Sequence, residues 1–422
     1  MFSQFQNADA LRSLAQQTEE KITEQHKNIQ ATAEYNQLKV LNSFKAHQVS
    51  DFHFTPSTGY GYDDAGRDTL EKVYASVFGA EAGLVRPQLI SGTHAISTAL
   101  FGVLRPGDEL LYITGKPYDT LQEIVGITGS GIGSLKEYNI TYQHVALAAT
   151  GGVDFDEVAR QIKPETKMIG IQRSKGYGER KSFCIDEIKE MIAFVKKINP
   201  ELVVFVDNCY GEFVEELEPC DVGADLMAGS LIKNPGGGLA KTGGYIVGKQ
   251  ALVERCAYRL TTPGIGSEAG ASLYSLLEMY QGFFLAPHVT AQALKGAVFT
   301  AALLDSLGMT TEPAWDEKRT DLIQAVKLGD KQRMIAFCQA IQSVSPINAH
   351  ATPYPAYMPG YEDDVIMAAG TFIQGASIEL TADGPIRAPY TAFVQGGLTY
   401  EHVKIAILTA VDRLISDQLI TL

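Results

Sequence analysis

Apolar residues run along this chain in two alternating rhythms. Glu109–Thr114 (ELLYIT), Lys167–Gln172 (KMIGIQ) and Leu202–Asp207 (LVVFVD) are apolar runs of strand length. Leu226–Leu231 and Gly244–Val247, flanked by glycine, extend the series. Between them Asp154–Ile162 and Ile185–Ile198 repeat their apolar positions at helical spacing, and a further helix is expected from Asp68 to about Phe78. Strand alternating with helix predicts an α/β domain with a mixed, mostly parallel sheet. The stretch 55–67, rich in Pro, Gly and Asp, predicts a loop.

After about Phe283 the rhythm changes. Val289–Leu307 and Asp330–Ser343 predict helices, Phe372–Leu380 and Tyr390–Gln395 alternate like strands, and Tyr400–Ile415 predicts a closing helix after Gly396-Gly397. A second, smaller α+β domain follows from this pattern. At the other end, Ala8 to about Val49 predicts one or two polar helices with a thin apolar stripe (Leu11, Leu14, Ile22, Ile29), suited to packing on a neighbouring element or subunit. The expected organisation is a helical arm over 1–60, a large domain over 61–285 and a small domain over 286–422.

Composition narrows the class. A chain of 422 residues, 45% hydrophobic and 20% charged, has the balance of a globular protein with a large core. A net charge of −14 argues against partnership with nucleic acid or an anionic membrane. Met1–Glu20 is polar, and no apolar run is long enough to span a bilayer. The five cysteines (Cys184, Cys209, Cys220, Cys256, Cys338) are scattered without a C-x-x-C pair, which predicts reduced thiols, no metal site and a cytoplasmic address.

Four local features carry candidate chemistry. Ser91-Gly92-Thr93 opens a helix predicted over His94–Val103. Such a start offers unbonded N–H groups and the positive end of the helix dipole to an anion, although alone it reads as an ordinary cap. Tyr118 follows the strand Glu109–Thr114 and the turn Gly115-Lys116-Pro117, where a ring can stack on a flat ligand or simply pack. Asp207 ends an apolar strand, and ligands collect at the carboxyl ends of parallel strands. A buried carboxylate there is costly without a cation, which a protonated pyridine nitrogen would supply; the other reading is an Asp that starts a turn. Lys233 sits in Ala228–Gly238 (AGSLIKNPGGG), three residues after Ser230. A Schiff-base lysine must deprotonate readily, which partial burial favours, and glycine lets backbone approach a ligand closely.

In order and spacing these features resemble the fold type I pyridoxal-phosphate (PLP) enzymes, the aspartate-aminotransferase-like class. More narrowly, Val206–Phe213 (VDNCYGEF), Gly229–Gly238, Thr262–Gly266 (TPGIG), Gly282–His288 (GFFLAPH) and Gln374–Leu380 (QGASIEL) resemble a bacterial family named for aluminium resistance. Its members are also described as methionine γ-lyase-like or as cystathionine β-lyases. The resemblance implies that Lys233 bonds the cofactor covalently, Asp207 pairs with its pyridinium nitrogen and Tyr118 stacks on its ring. Ser91, Gly92, Thr93 and Ser230 would hold the phosphate. Tyr60 (or Tyr62) with Arg67 would reach the phosphate of a neighbouring subunit. Arg387, in Gly384–Pro389 (GPIRAP), falls where the class places the arginine that grips a substrate carboxylate; Arg173, just past a strand end, is a second candidate.

The implied activity is carbon–sulfur cleavage of a cystathionine, cysteine or methionine type of amino acid by β- or γ-elimination, in a homodimer or homotetramer with shared sites. The same pocket would serve an aminotransferase or another amino-acid PLP enzyme, and a non-catalytic PLP-binding protein is the remote alternative. The sequence departs from the better-known cystathionine lyases at Ile232, where those carry a hydroxyl residue. Neither G-x-x-x-x-G-K-[ST] nor a G-x-G-x-x-G between strand and helix occurs, so a nucleotide-binding module is disfavoured.

Overall fold

The computed structural model describes residues 1–358 and 363–421, which divide into two compact units: Asn36–Leu285, and Met1–Tyr35 together with Ala286–Leu422. Both boundaries fall inside helices, Thr23–Ala46 and Leu276–Ser306.

The larger unit is built on a seven-stranded sheet of β1 (Ala82–Arg86), β2 (Glu109–Tyr112), β3 (Thr141–His144), β4 (Thr166–Gln172), β5 (Val203–Asp207), β6 (Leu226–Ser230) and β7 (Gly244–Gly248), in the order β1-β7-β6-β5-β4-β2-β3. β3, β2, β4, β5 and β6 run parallel, while β7 is antiparallel to β6 and to β1. The central strands read as unbroken apolar runs because both faces are covered. Phe205, Met168 and Leu226 pack with the helices Gly92–Val103 and Gln250–Leu260, while Val204, Val206 and Ile169 pack with Ile188, Met191 and Val195 of the helix Ile185–Ile198. Parallel register brings the ends of β4, β5 and β6 together: Gln172 pairs with Asp207, and Asp207 with Ala228, two residues before Ser230.

The smaller unit carries a five-stranded antiparallel sheet of β8 (Thr310–Glu312), β9 (Gln324–Lys327), β10 (Val365–Ala368), β11 (Thr381–Pro385) and β12 (Thr391–Gln395), in the order β10-β11-β12-β9-β8. Its core joins Val326, Ala382 and Val394 to Phe337 and Ile341 of the helix Lys331–Ser343 and to Ile407 and Val411 of Tyr400–Ser416.

Three expectations change. The N-terminal segment is not a separate arm. Leu11 and Ile22 are fully buried in the smaller unit's core, and the Asp412 carboxylate accepts the N–H groups of Gln6 and Asn7. Residues 36–60 belong to the larger unit, where buried Asn36 donates to the carbonyls of Phe213 and Glu215 and Ser43 to that of Val73. Phe372–Leu380 is not a strand. The Glu379 carboxylate accepts from the N–H groups of Phe372 and Ile373, so the segment folds back as a loop that still buries Ala376, Ile378 and Leu380. That burial mimics strand alternation in the sequence. The third is a start: the helix expected from Val289 begins at Leu276 and carries Pro287 inside it.

Candidate active site

The ends of β4, β5 and β6 and the start of the helix Gly92–Val103 enclose a cavity of about 170 Å³. Ser91, Gly92, Thr93, Tyr118, Asp207, Ser230 and Lys233 all line it. Ser91 caps the helix, its hydroxyl accepting from His94 N at 3.0 Å. Gly92 leaves little room for a side chain: a Cβ would stand 3.0 Å from Ser230 Cβ and 3.3 Å from Cys209 Sγ, so a neighbour would have to give way. The helix start and the end of β6 are thus a close-fitting cradle of small residues, the shape an anion needs to reach backbone N–H groups.

Asp207 is buried at the last position of β5, and its Oδ1 accepts from Cys209 N at 3.1 Å. Burial raises its carboxyl above the usual carboxylate range, against the pull of Lys233. Lys233 Nζ lies 3.7 Å from the centroid of the Tyr210 ring. Burial by itself would push that amine's pKa down, but Cys209, Tyr210, Asp207 and Glu212 outweigh it and the net direction is up. The easily deprotonated lysine expected from burial alone is therefore corrected. The fold supplies a stabilised ammonium, because acidic and aromatic groups surround it.

The turn after β5 supplies residues that sequence reasoning missed. Tyr210 takes a left-handed backbone (φ 72°), which a bulky residue adopts only when its surroundings fix it. Asn234, next to the lysine, donates to the carbonyls of Tyr210 and Glu212, pinning the lysine loop to this turn. Glu212 is fully buried and pushed up to about 8 by burial, with the Tyr245 hydroxyl donating to its Oε1 at 2.7 Å. Gln172 also lines the cavity; its Oε1 accepts from Tyr118 N at 2.6 Å and so fixes the start of the helix that Tyr118 caps. A polar residue ending the strand beside Asp207 was the available signal for Gln172.

The other candidates lie elsewhere. Arg173, offered to a substrate carboxylate, is fully buried and does not line the cavity. Its guanidinium binds Glu215 at 2.8 Å, Asn208 Oδ1 at 2.9 Å and the carbonyl of Gly211 at 3.0 Å, with Glu218 at 3.5 Å. That arginine braces the 208–218 turn from behind, because a charge at a strand end points to whichever side offers partners. Arg67 likewise turns inward. It is buried and donates to the carbonyls of Gly61 and Gly270 and to Asp68, so it holds its own loop rather than reaching outward. Tyr60 is exposed and stacks on Tyr62, ring centroids 5.2 Å apart. Arg387 is exposed, in the smaller unit, with Asp363 at 3.4 Å.

The residues around the cavity fit PLP. A covalent attachment point, a buried carboxylate for the ring nitrogen, a tyrosine and a small-residue anion cradle are the donor set that cofactor requires.

Comparisons with known proteins agree. The sequence model of the methionine gamma-lyase family matches residues 11–415. The chain is 71% identical to the "uncharacterized protein YnbB" of Bacillus subtilis (strain 168), over 100% of both chains. A solved structure from Bacillus cereus is 74% identical with a TM-score of 0.94, covering 96% of this chain and 99% of that one. The carbon-sulfur lyase involved in aluminum resistance from Clostridium novyi NT is 48% identical with a TM-score of 0.93, covering 96% of each chain. The fold extends to the PLP-dependent protein YhfS of Escherichia coli, 17% identical with a TM-score of 0.59.

Two outcomes follow. Arg173→Ala removes a buried cation from beside Glu215 and Glu218, and losing one partner of a buried pair costs about 3–5 kcal/mol; denaturant unfolding checks this, and an unchanged midpoint would contradict the bracing role. Asp207→Asn keeps the fold and cofactor absorbance but lowers kcat by about 10²–10³-fold, since an amide cannot hold the pyridinium proton. Near-normal kcat in steady-state assays would remove Asp207 from that role.

Proposed function

The chain belongs to the methionine γ-lyase family, and we propose that it is a PLP-dependent carbon–sulfur lyase acting on a sulfur-containing amino acid by β-elimination. The observation that carries this reading is that half-buried Lys233 and buried Asp207 line one cavity with the Gly92–Ser230 cradle.

When bound, the cofactor acts as an electron sink that stabilises negative charge at the substrate Cα. The chain's own residues do the rest. Lys233 would hold the cofactor through Nζ, and its amine, once free, would remove the α-proton of the substrate. Asp207 keeps a proton on the ring nitrogen, and its raised pKa reflects a site that rewards pairing with a cation. Backbone N–H groups at Gly92 and Thr93, with the Ser230 hydroxyl, anchor the phosphate, while Tyr118 flanks the ring. Departure of a thiol from Cβ then gives, after hydrolysis, an oxoacid and ammonia.

β-Elimination asks for one proton removal before the thiol leaves, and γ-elimination asks for a second at Cβ. Lining the cavity beside the lysine is Ile232, which offers no hydroxyl to assist that second step. The carbon–sulfur lyase from Clostridium novyi NT supports the bond class.

We further propose a cytoplasmic homo-oligomer, with exposed Tyr60 facing a neighbouring subunit. All five cysteines are unpaired, and no helix among the described residues is long and apolar enough to cross a membrane.

Incubation with cystathionine, cysteine, homocysteine and methionine, followed by identification of oxoacid and thiol, tests the reaction. Pyruvate with homocysteine from cystathionine is expected, ahead of 2-oxobutyrate with methanethiol from methionine. Pyridoxamine phosphate building up without thiol would show a transaminase instead.

A further inference from the structure

Behind the turn that carries Tyr210 lies a carboxyl that does not line the cavity. Glu212 is fully buried, and its Oε1 accepts from the hydroxyl of Tyr245, on β7, at 2.7 Å. Its Oε2 has no hydrogen-bond partner. The two side chains meet in a notch of β6 that glycine keeps open: a Cβ on Gly229 would stand 2.5 Å from Glu212 Oε1 and 2.6 Å from the Tyr245 ring. The next residue is Ser230 of the anion cradle. Asn234 donates to the Glu212 carbonyl at 2.9 Å, which ties the residue after Lys233 to the one that bears the carboxyl.

A hydrogen-bond acceptor for Tyr245 would not need a titratable group. The surroundings are aromatic, with Phe78 and Tyr74 at 5.3 and 6.0 Å from the Tyr245 ring, centroid to centroid. A carboxylate with one bare oxygen is costly in such a place, and a neutral carboxyl is much less so. Burial raises Glu212 to about 8, reinforced by Glu218 and opposed by Tyr245, its own N–H and Lys233. Tyr74, from the helix Ala65–Val77, and Cys209, from the turn itself, also face it, and its charge pushes both of them up. Among these groups Lys233 is the only cation, and the coupling is mutual, because Glu212 raises the lysine in turn.

We propose that Glu212 is a positioning residue that acts through Lys233: a carboxyl stored uncharged behind the site, whose charge, when it forms, holds the proton on Lys233 Nζ. The role depends on Lys233 being the cofactor's anchor. The pair titrates as a unit, so the proton on Nζ survives to a higher pH than the other neighbours alone would allow.

Infrared difference spectra of the holoenzyme between neutral and alkaline pH follow the carboxyl directly. A visible-absorption titration follows the proton on Nζ, on which the colour of the attached cofactor depends. The wild type loses a protonated-carboxyl band with a midpoint at about pH 8, and Glu212→Gln, which keeps the shape and an acceptor for Tyr245, shows no such band. In that variant Nζ loses its proton about one pH unit lower, the low end for removing an opposite charge. Tyr245→Phe keeps the carboxyl but removes the donor that favours its ionised form. The carboxyl midpoint then rises and Nζ again loses its proton at lower pH, a result that carries the test if Glu212→Gln fails to fold. A Glu212 that is only structural leaves the Nζ midpoint in place in both variants. That outcome, or a wild type without a carboxyl band that titrates in this range, overturns the proposal. Borohydride mapping of the same samples separates the two readings: an unaltered Nζ midpoint with the label on Lys233 overturns this inference alone, and a label elsewhere overturns the proposed function with it.

Discussion

Asp207, buried at the end of β5, and Lys233, half-buried in the loop that follows β6, oppose a carboxyl and an ammonium across one cavity, and the turn and loop around them are built on that constraint. Each is costly alone. Together they lower each other's cost: Lys233 pulls the Asp207 pKa down against burial, and Asp207 helps hold the lysine charged. Net, the carboxyl still sits above its usual range, so the pair is incompletely satisfied by the protein itself. A cofactor with an aldehyde and a basic ring nitrogen supplies what each group lacks.

The scaffold accounts for the placement. Both faces of β4, β5 and β6 are covered by helices, so polar residues are tolerated only where the strands end. The turn that follows β5 must then carry Tyr210 in a left-handed conformation beneath the lysine. It is held from behind by Arg173 with Glu215 and Glu218, by Asn208 donating to Glu218, and by the Glu218 carboxylate accepting from Phe213 N. From the front, Asn234 ties it to the lysine loop. Arg173 therefore matters to the site through the shape of a turn, not through the substrate.

Much of this was legible in the sequence, and the failures share a cause. The strands ending at Gln172 and Asp207 and the helix Ile185–Ile198 showed their periods plainly, because burial on one face or two is a local pattern. The strand-end rule led directly to Asp207, and the small-residue helix start to Gly92. Phe372–Leu380 misled because a loop closed by the Glu379 carboxylate buries alternate residues as a strand does. The inward partners of Arg173 and Arg67 are tertiary and leave no local signal: Glu215 and Glu218 lie more than forty residues beyond Arg173 in the chain, and Gly270 some two hundred beyond Arg67. Burial alone predicts a lowered Lys233 pKa, and only the assembled neighbours reverse that direction.

The claim on which all of this rests is that Lys233 is the cofactor's covalent anchor. Borohydride reduction of the purified holoenzyme, followed by peptide mapping, reads it directly. The account predicts a pyridoxyl group on Lys233 and on no other lysine, with none on the Lys233→Ala protein. Lys241 is exposed and paired with Glu278, and a label there, or on no lysine at all, would contradict the account.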